Sequence, residues 1–325
     1  MAINFGSGNF GDVSLTEDYR MTDLESYENL TIPFGVTLTV PNGSILQVSD
    51  TLRLDGVVDV EPRLGSGGAG YGADAGGSMF ILAKNVEGSG SITANGVDGV
   101  NGGGGNNNNN NDNGASGLPP VIAGAKTNVI TSGSAGGSGT SGGISGDTAI
   151  SRDLLSIWLD EWIIPSTKIS GLPMAKILSG GGADSSRGTR NYNNNANGGG
   201  GGSGGSFGGK GGNGGNGGHS GNNNGGGKSG GGGGGAGGLV VLFAESLSNS
   251  ITVEATGGNG GNGTTGSNKI AGSGGGGGGG VIIIVTPNNQ IPTHDLSGGT
   301  TGAGDRIGNA GKTGVFTHIP FSMIE

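Results

Sequence analysis

The sequence predicts a mainly β fold with polyglycine-II helices: a short-strand β platform or solenoid carrying a packed glycine-helix bundle, with one helical insert. Three observations carry this prediction. Glycine supplies 84 of the 325 residues, against an average usage of roughly 7%. The glycine runs are interrupted by short, strongly apolar strings, SMFILA at 78–83, LVVLFA at 239–244 and VIIIV at 281–285, which disordered linkers do not carry. Within the longest run, Phe207, Lys210, Asn213, Asn216, His219 and Asn222 stand three apart with mostly glycine between them.

Residues 1–29 hold much of the acidic charge and read as an N-terminal arm or attachment region. From Leu30 the pattern changes. Val36, Leu38 and Val40 alternate with threonine, and Ile45, Leu46 and Val48 follow the turn Pro41-Asn42-Gly43. Leu52, Leu54, Val57 and Val60 then surround a second turn at Asp55-Gly56. Apolar alternation over four to six residues between turn signals predicts short strands at about this length, so 30–64 is a short-strand β region. The spacing suits a solenoid or a stacked sheet.

From Gly65 a longer unit recurs: a glycine tract, an apolar strand, a polar turn, a second short strand and another tract. Its copies are 76–105, 237–263 and 278–304, and the first two share Ser-Ile-Thr at 91–93 and 250–252. The first glycine-rich repeat is placed at 65–117; further repeats and a C-terminal strand occupy 181–325. Between them lies an insert, 118–180. There Leu154, Leu155, Trp158, Leu159 and Trp162 fall on one helical face, with Ser151 as N-cap and Pro165 ending the run. Both tryptophans of the chain are on this face. It suits burial against the sheet, or a subunit interface through Trp158 and Trp162, since tryptophan is favoured at interface centres.

A period of three is neither helical nor extended. It belongs to the left-handed polyproline-II-type helix, with about three residues per turn and no internal hydrogen bonds. The N–H and C=O groups of such a helix must find partners outside it. Without Cβ atoms, parallel helices approach closely enough to bond to one another, which requires two bare residues per turn and leaves the third pointing out. Collagen needs abundant proline as well; this chain has ten, nearly all outside the tracts. Backbone bonds at about 1 kcal/mol each net do not offset an ordering cost of about 1–2 kcal/mol per residue. The bundle therefore needs the apolar strands at its base, and a homotrimer or other homo-oligomer is expected.

Composition excludes several classes. There is no cysteine, hence no disulfide and no thiolate metal site. The N-terminus has no basic start and no apolar stretch, and no apolar run approaches the ~20 residues of a membrane span. Synthesis in the cytoplasm without a signal peptide, with release by lysis, is the expectation. Residues 1–64 hold ten Asp/Glu against three Lys/Arg, a balance that disfavours nucleic acid as a partner.

The tracts at 198–238, 256–263 and 271–280 and the loops that link them resemble the glycine-rich tip adhesins of tailed-phage tail fibres. Those proteins fold as polyglycine-II sandwiches and present variable loops to host receptors. The resemblance is one of composition and architecture. It covers about 65–117 and 181–310; the β region at 30–64 and the helical insert lie outside it. It implies a non-enzymatic virion structural protein, a tail-fibre or spike component. Its expected partners are further copies of itself, other virion proteins through the N-terminal region, and a host surface glycan or outer-membrane protein. Two other readings are a virion decoration or scaffold protein using the bundle as a rigid spacer, and a secreted ice- or surface-binding protein.

The best receptor-binding candidates interrupt the tracts. Arg187, Arg190, Tyr192, Asn193 and Asn194 stand close together in 185–197, where arginine can bind acidic groups bidentately and Tyr and Asn suit adaptable recognition. The Asn-rich stretch 105–114 is second. Other motifs fail. Lys228-Ser229 would need glycine at 222 to close a phosphate-binding loop, and that position is Asn222. His219, His294 and His318 are far apart and have no convergent ligands; His294 could pair with Asp295. Asp160 and Glu161 point to different faces of a helix. Calcium-binding repeats require Asp where the tracts carry Asn. No catalytic residue, metal or cofactor is expected.

Overall fold

The computed structural model describes residues 5–22, 24–62, 73–101, 231–263, 272–287, 290–304 and 307–323. These residues form a mainly β fold of two parallel sheets, with one 3-10 turn at Phe321–Met323 as their only helix.

The chain winds between the sheets. β1 (Asp12–Ser14), β3 (Leu24–Ile32), β5 (Ser44–Leu54), β7 (Ser78–Gly88), β9 (Leu239–Phe243), β12 (Val281–Thr286) and β14 (Val315–Pro320) lie side by side in the first sheet, with β10 (Ser246–Leu247) also on β7. The second sheet holds β2 (Tyr19–Arg20), β4 (Thr37–Val40), β6 (Val57–Val60), β8 (Ser91–Thr93), β11 (Thr252–Glu254) and β13 (Thr293–Asp295). Each turn of the chain thus gives the second sheet one strand and the first sheet at least one.

Alternation explains the second sheet. In β4 and β6 every second residue is buried, namely Leu38, Val40, Val58 and Val60. These meet Leu46, Val48, Ile81, Leu242 and Ile284 of the first sheet in one core. β9 and β12 differ, because every residue in them is buried. Strands covered on both faces read as continuous apolar runs, which is why LVVLF and VIIIVT show no alternation.

Three readings are refined. Residues expected as an arm contribute β1, β2 and much of β3 to the sheets; polar, exposed β1 and β2 sit at the sheet ends, where alternation has little to bury. β3 and β5 run to 9 and 11 residues, longer than expected, because the pairing shifts register after Tyr27 and after Val48 and then continues. The shared Ser-Ile-Thr is not the structural match: Ile92 stands beside Val253, not Ile251.

Two kinds of corner join the sheets. From first to second the links stay short, as at 33–36, 55–56 and 89–90. From second to first, the link between β4 and β5 is only Pro41-Asn42-Gly43, with Gly43 at φ 89°. The equivalent links in later turns are long: 61–77, 94–238, 255–280 and 296–314. Their described parts are the glycine segments. Segments 73–77, 231–238, 272–280 and 307–314 lead into the first sheet, and 94–101, 255–263 and 296–304 leave the second.

These segments bond to one another with a three-residue recurrence. The N–H groups of Gly231, Gly234 and Gly237 donate to the carbonyls of Gly272, Gly275 and Gly278 at 2.8–3.0 Å. Those of Gly232, Gly235 and Gly238 donate to Val100, Val97 and Ala94 at 2.7–2.9 Å. Partners on the same sheet's side run parallel; partners across the two layers run antiparallel. The tract glycines here have no positive φ. What they supply is the missing side chain: a Cβ on Gly277 would lie 1.8 Å from the carbonyl oxygen of Gly235.

Candidate functional site

The second layer of glycine segments has an ordered outer face. In GGNGGNG at 257–263 the asparagines Asn259 and Asn262 are exposed, while Gly258 and Gly261 are buried. Two bare residues thus alternate with one directed outward, in a repeat of three. The equivalent positions are Asn95, Asp98 and Asn101 in one segment, Thr256, Asn259 and Asn262 in the next, and Ser297, Thr300 and Ala303 in the last; Asn95 and Thr256 are half-buried and the others exposed.

Side chains tie these rows together. Asp98 accepts the backbone N–H of Asn259 at 2.6 Å, and Asn259 in turn accepts that of Thr300 at 2.9 Å. Asn101 accepts from Asn262 at 2.7 Å, and Asn262 from Ala303 at 2.6 Å. Asn95 accepts both the N–H and the hydroxyl of Thr256. An outward N–H has no glycine segment to reach, so a carbonyl or carboxylate oxygen from the preceding row takes it. Asn259 and Asn262 spend their oxygens this way and keep their Nδ2 donors on the exposed face. Such fixed donors can meet hydroxyl or carboxylate oxygens of a ligand.

A second polar constellation lies near the start of the sheets. The carboxylate of Glu25 is only 1% exposed. It accepts from the Tyr27 hydroxyl, from Tyr19 at 3.1 Å, and from the backbone N–H and hydroxyl of Thr22 at 2.7 and 3.0 Å. Burial, and then the bond and charge of Glu25, hold the Tyr27 phenol far above its ordinary value. With four donors around it, this carboxylate is a structural clasp, one that acidity in residues 1–64 gave no means to single out. On the surface, the Arg20 guanidinium holds the Glu61 carboxyl below the usual carboxylate range.

The expected receptor-binding residues Arg187, Arg190, Tyr192, Asn193 and Asn194 lie outside the described residues, as do Trp158, Trp162, Asp160, Glu161, His219 and the 105–114 stretch. The structure does fix where their segment begins and ends. The described chain stops at Asn101 and resumes at Gly231, both at the end of the glycine layers away from the sheets. His294 bonds to the carbonyl of Pro292 through Nδ1 at 3.2 Å and stacks on Phe316 with centroids 3.9 Å apart. Asp295 instead accepts the N–H of Ser297, since neighbours in a strand face opposite ways. His318 meets the Thr286 hydroxyl at 3.0 Å. Among the described residues no group of three or more His, Asp or Glu could hold a metal ion. No family model, no curated protein and no solved structure matches this chain.

Proposed function

We propose that the chain is a virion structural protein, a tail-fibre or spike component that contacts the host cell surface, and that its glycine segments are polyglycine-II helices. The observation that carries this reading is the shared corner. Every long link between the second and first sheets leaves by the same side, and the described parts of these links bond to each other every third residue. A stiff bundle on a β base then holds its connecting loops at one end, the arrangement in which a rigid scaffold positions recognition loops. The sequence between Asn101 and Gly231 contains Arg187, Arg190 and Tyr192.

The recurrence of three supports the helix type, and the ladder of Asp98, Asn259 and Thr300 supports a packed rather than a dangling tract. The test is binding of labelled protein to a panel of bacterial strains. Replacing Arg187, Arg190 and Tyr192 together by Ala should leave Tm unchanged and abolish binding to the strain that the parent protein recognises. If that variant and one with the asparagines of 105–114 replaced both bind as the parent does, the bundle is a spacer and the contact lies elsewhere.

A further inference from the structure

Four asparagines among the described residues are followed by a described glycine: Asn42, Asn95, Asn259 and Asn262. Each Asn-Gly pair grips one residue of the next turn of the chain by both of its backbone groups. Asn42 accepts the N–H of Ser78 at 2.9 Å, and Gly43 donates its own N–H to the Ser78 carbonyl at 2.7 Å. Asn95 and Gly96 hold Thr256 in the same way, both bonds at 2.8 Å. Asn259 and Gly260 hold Thr300 at 2.9 and 2.8 Å, and Asn262 and Gly263 hold Ala303 at 2.6 and 2.8 Å. A carboxylate fits the same clamp, since Asp98 and Gly99 hold Asn259 with both bonds at 2.6 Å.

We infer that Asn42, Asn95, Asn259 and Asn262 are latent succinimide sites, which the clamp keeps closed while the turns stay stacked and which convert to isoaspartate when they part. In the reaction the glycine nitrogen loses its proton to base and attacks the asparagine Cγ. The side-chain nitrogen leaves as ammonia, and one water opens the cyclic imide at either of its carbonyls, giving aspartate or isoaspartate. Glycine has no β carbon to shield its nitrogen. The clamp opposes the attack from both sides: it fixes the glycine N–H on a carbonyl and holds the asparagine Cγ through its oxygen. Water has access, because Asn259 and Asn262 are exposed and Asn42 and Asn95 half-buried. The two products differ in effect. Aspartate keeps the clamp, as Asp98 does. Isoaspartate routes the main chain through the side-chain methylene and puts the rest of the row out of its three-residue recurrence. This inference is independent of the proposed role in host contact.

Mass spectrometry of the full-length protein, kept in mildly alkaline buffer, reads each site separately. All four should convert about tenfold or more slowly in the folded protein than in urea, since the reaction then waits on local opening. Thr300→Pro removes the N–H that holds the Asn259 oxygen, and the fixed φ of proline suits an extended row with a three-residue recurrence. Conversion at Asn259 should rise about threefold or more, while Asn262 in the same molecule keeps its parental rate. Ala303→Pro should do the reverse. A selective rise in either variant supports the assignment. Equal rates in folded and urea-unfolded protein, or no selective rise in either variant, would overturn it.

Discussion

Asn259 accepts two hydrogens from Thr300, the backbone N–H at 2.9 Å and the hydroxyl at 2.7 Å. One side chain thereby closes an outward N–H that no glycine segment reaches. Removing it in Asn259→Ala should lower stability by about 1 kcal/mol, the usual net worth of such a bond. Asn259→Asp keeps the acceptor, as Asp98 does one row earlier, and should unfold within a few tenths of the parent by urea titration. Equal losses in the two variants would show that the ladder oxygen contributes nothing.

Glycine is needed in the tracts for space. A Cβ on Gly277 would meet the Gly235 carbonyl oxygen at 1.8 Å and its carbon at 2.5 Å, both backbone atoms. Gly277→Ala should therefore cost about 3 kcal/mol, the upper end for overpacking. Gly35 makes a useful contrast, with φ 81° and nothing within 4 Å of an added Cβ. Gly35→Ala should cost about 1 kcal/mol from the left-handed backbone alone. Thermal unfolding of both variants checks the order.

The Tyr27 phenol is held above its ordinary value of 10.0, first by burial and then by Glu25. The folded state thus keeps a proton that the unfolded chain loses near pH 10. The contribution is fully present below that pH and is lost as pH rises above it toward the raised value. Denaturation midpoints measured from about pH 8 to about pH 11.5 should fall above pH 10. In Tyr27→Phe the fall should be shallower, from a lower starting stability, because Glu25 loses one donor. Identical slopes would exclude Tyr27 as the titrating group.

Ser44 opens β5, and its hydroxyl is buried without a hydrogen-bond partner among the described residues. An unsatisfied buried hydroxyl costs about 1 kcal/mol or more. Ser44→Ala should leave the fold unchanged and raise stability by about that amount. A loss instead would reveal a partner for the hydroxyl in solution.

Much of the architecture is legible in the residues themselves. Alternation in TLTV and VVDV marks strands with one buried face; the unbroken runs LVVLF and VIIIV mark strands with two. GGNGGNG states its own period and which residue faces outward. These are local consequences of side-chain size and backbone geometry, so a sequence determines them. What the tertiary structure decided is non-local. Only the winding of the chain shows that all the long links leave by one corner, since a turn as short as Pro41-Asn42-Gly43 and a link as long as 94–238 occupy equivalent places. Only strand pairing shows that Ile92 aligns with Val253 despite the repeated Ser-Ile-Thr, because register follows which side chains reach the core. Only packing distinguishes Glu25 from its acidic neighbours, since the donors that fix a buried carboxylate, from Tyr19, Thr22 and Tyr27, converge on it when β2 and β3 take their places in opposite sheets.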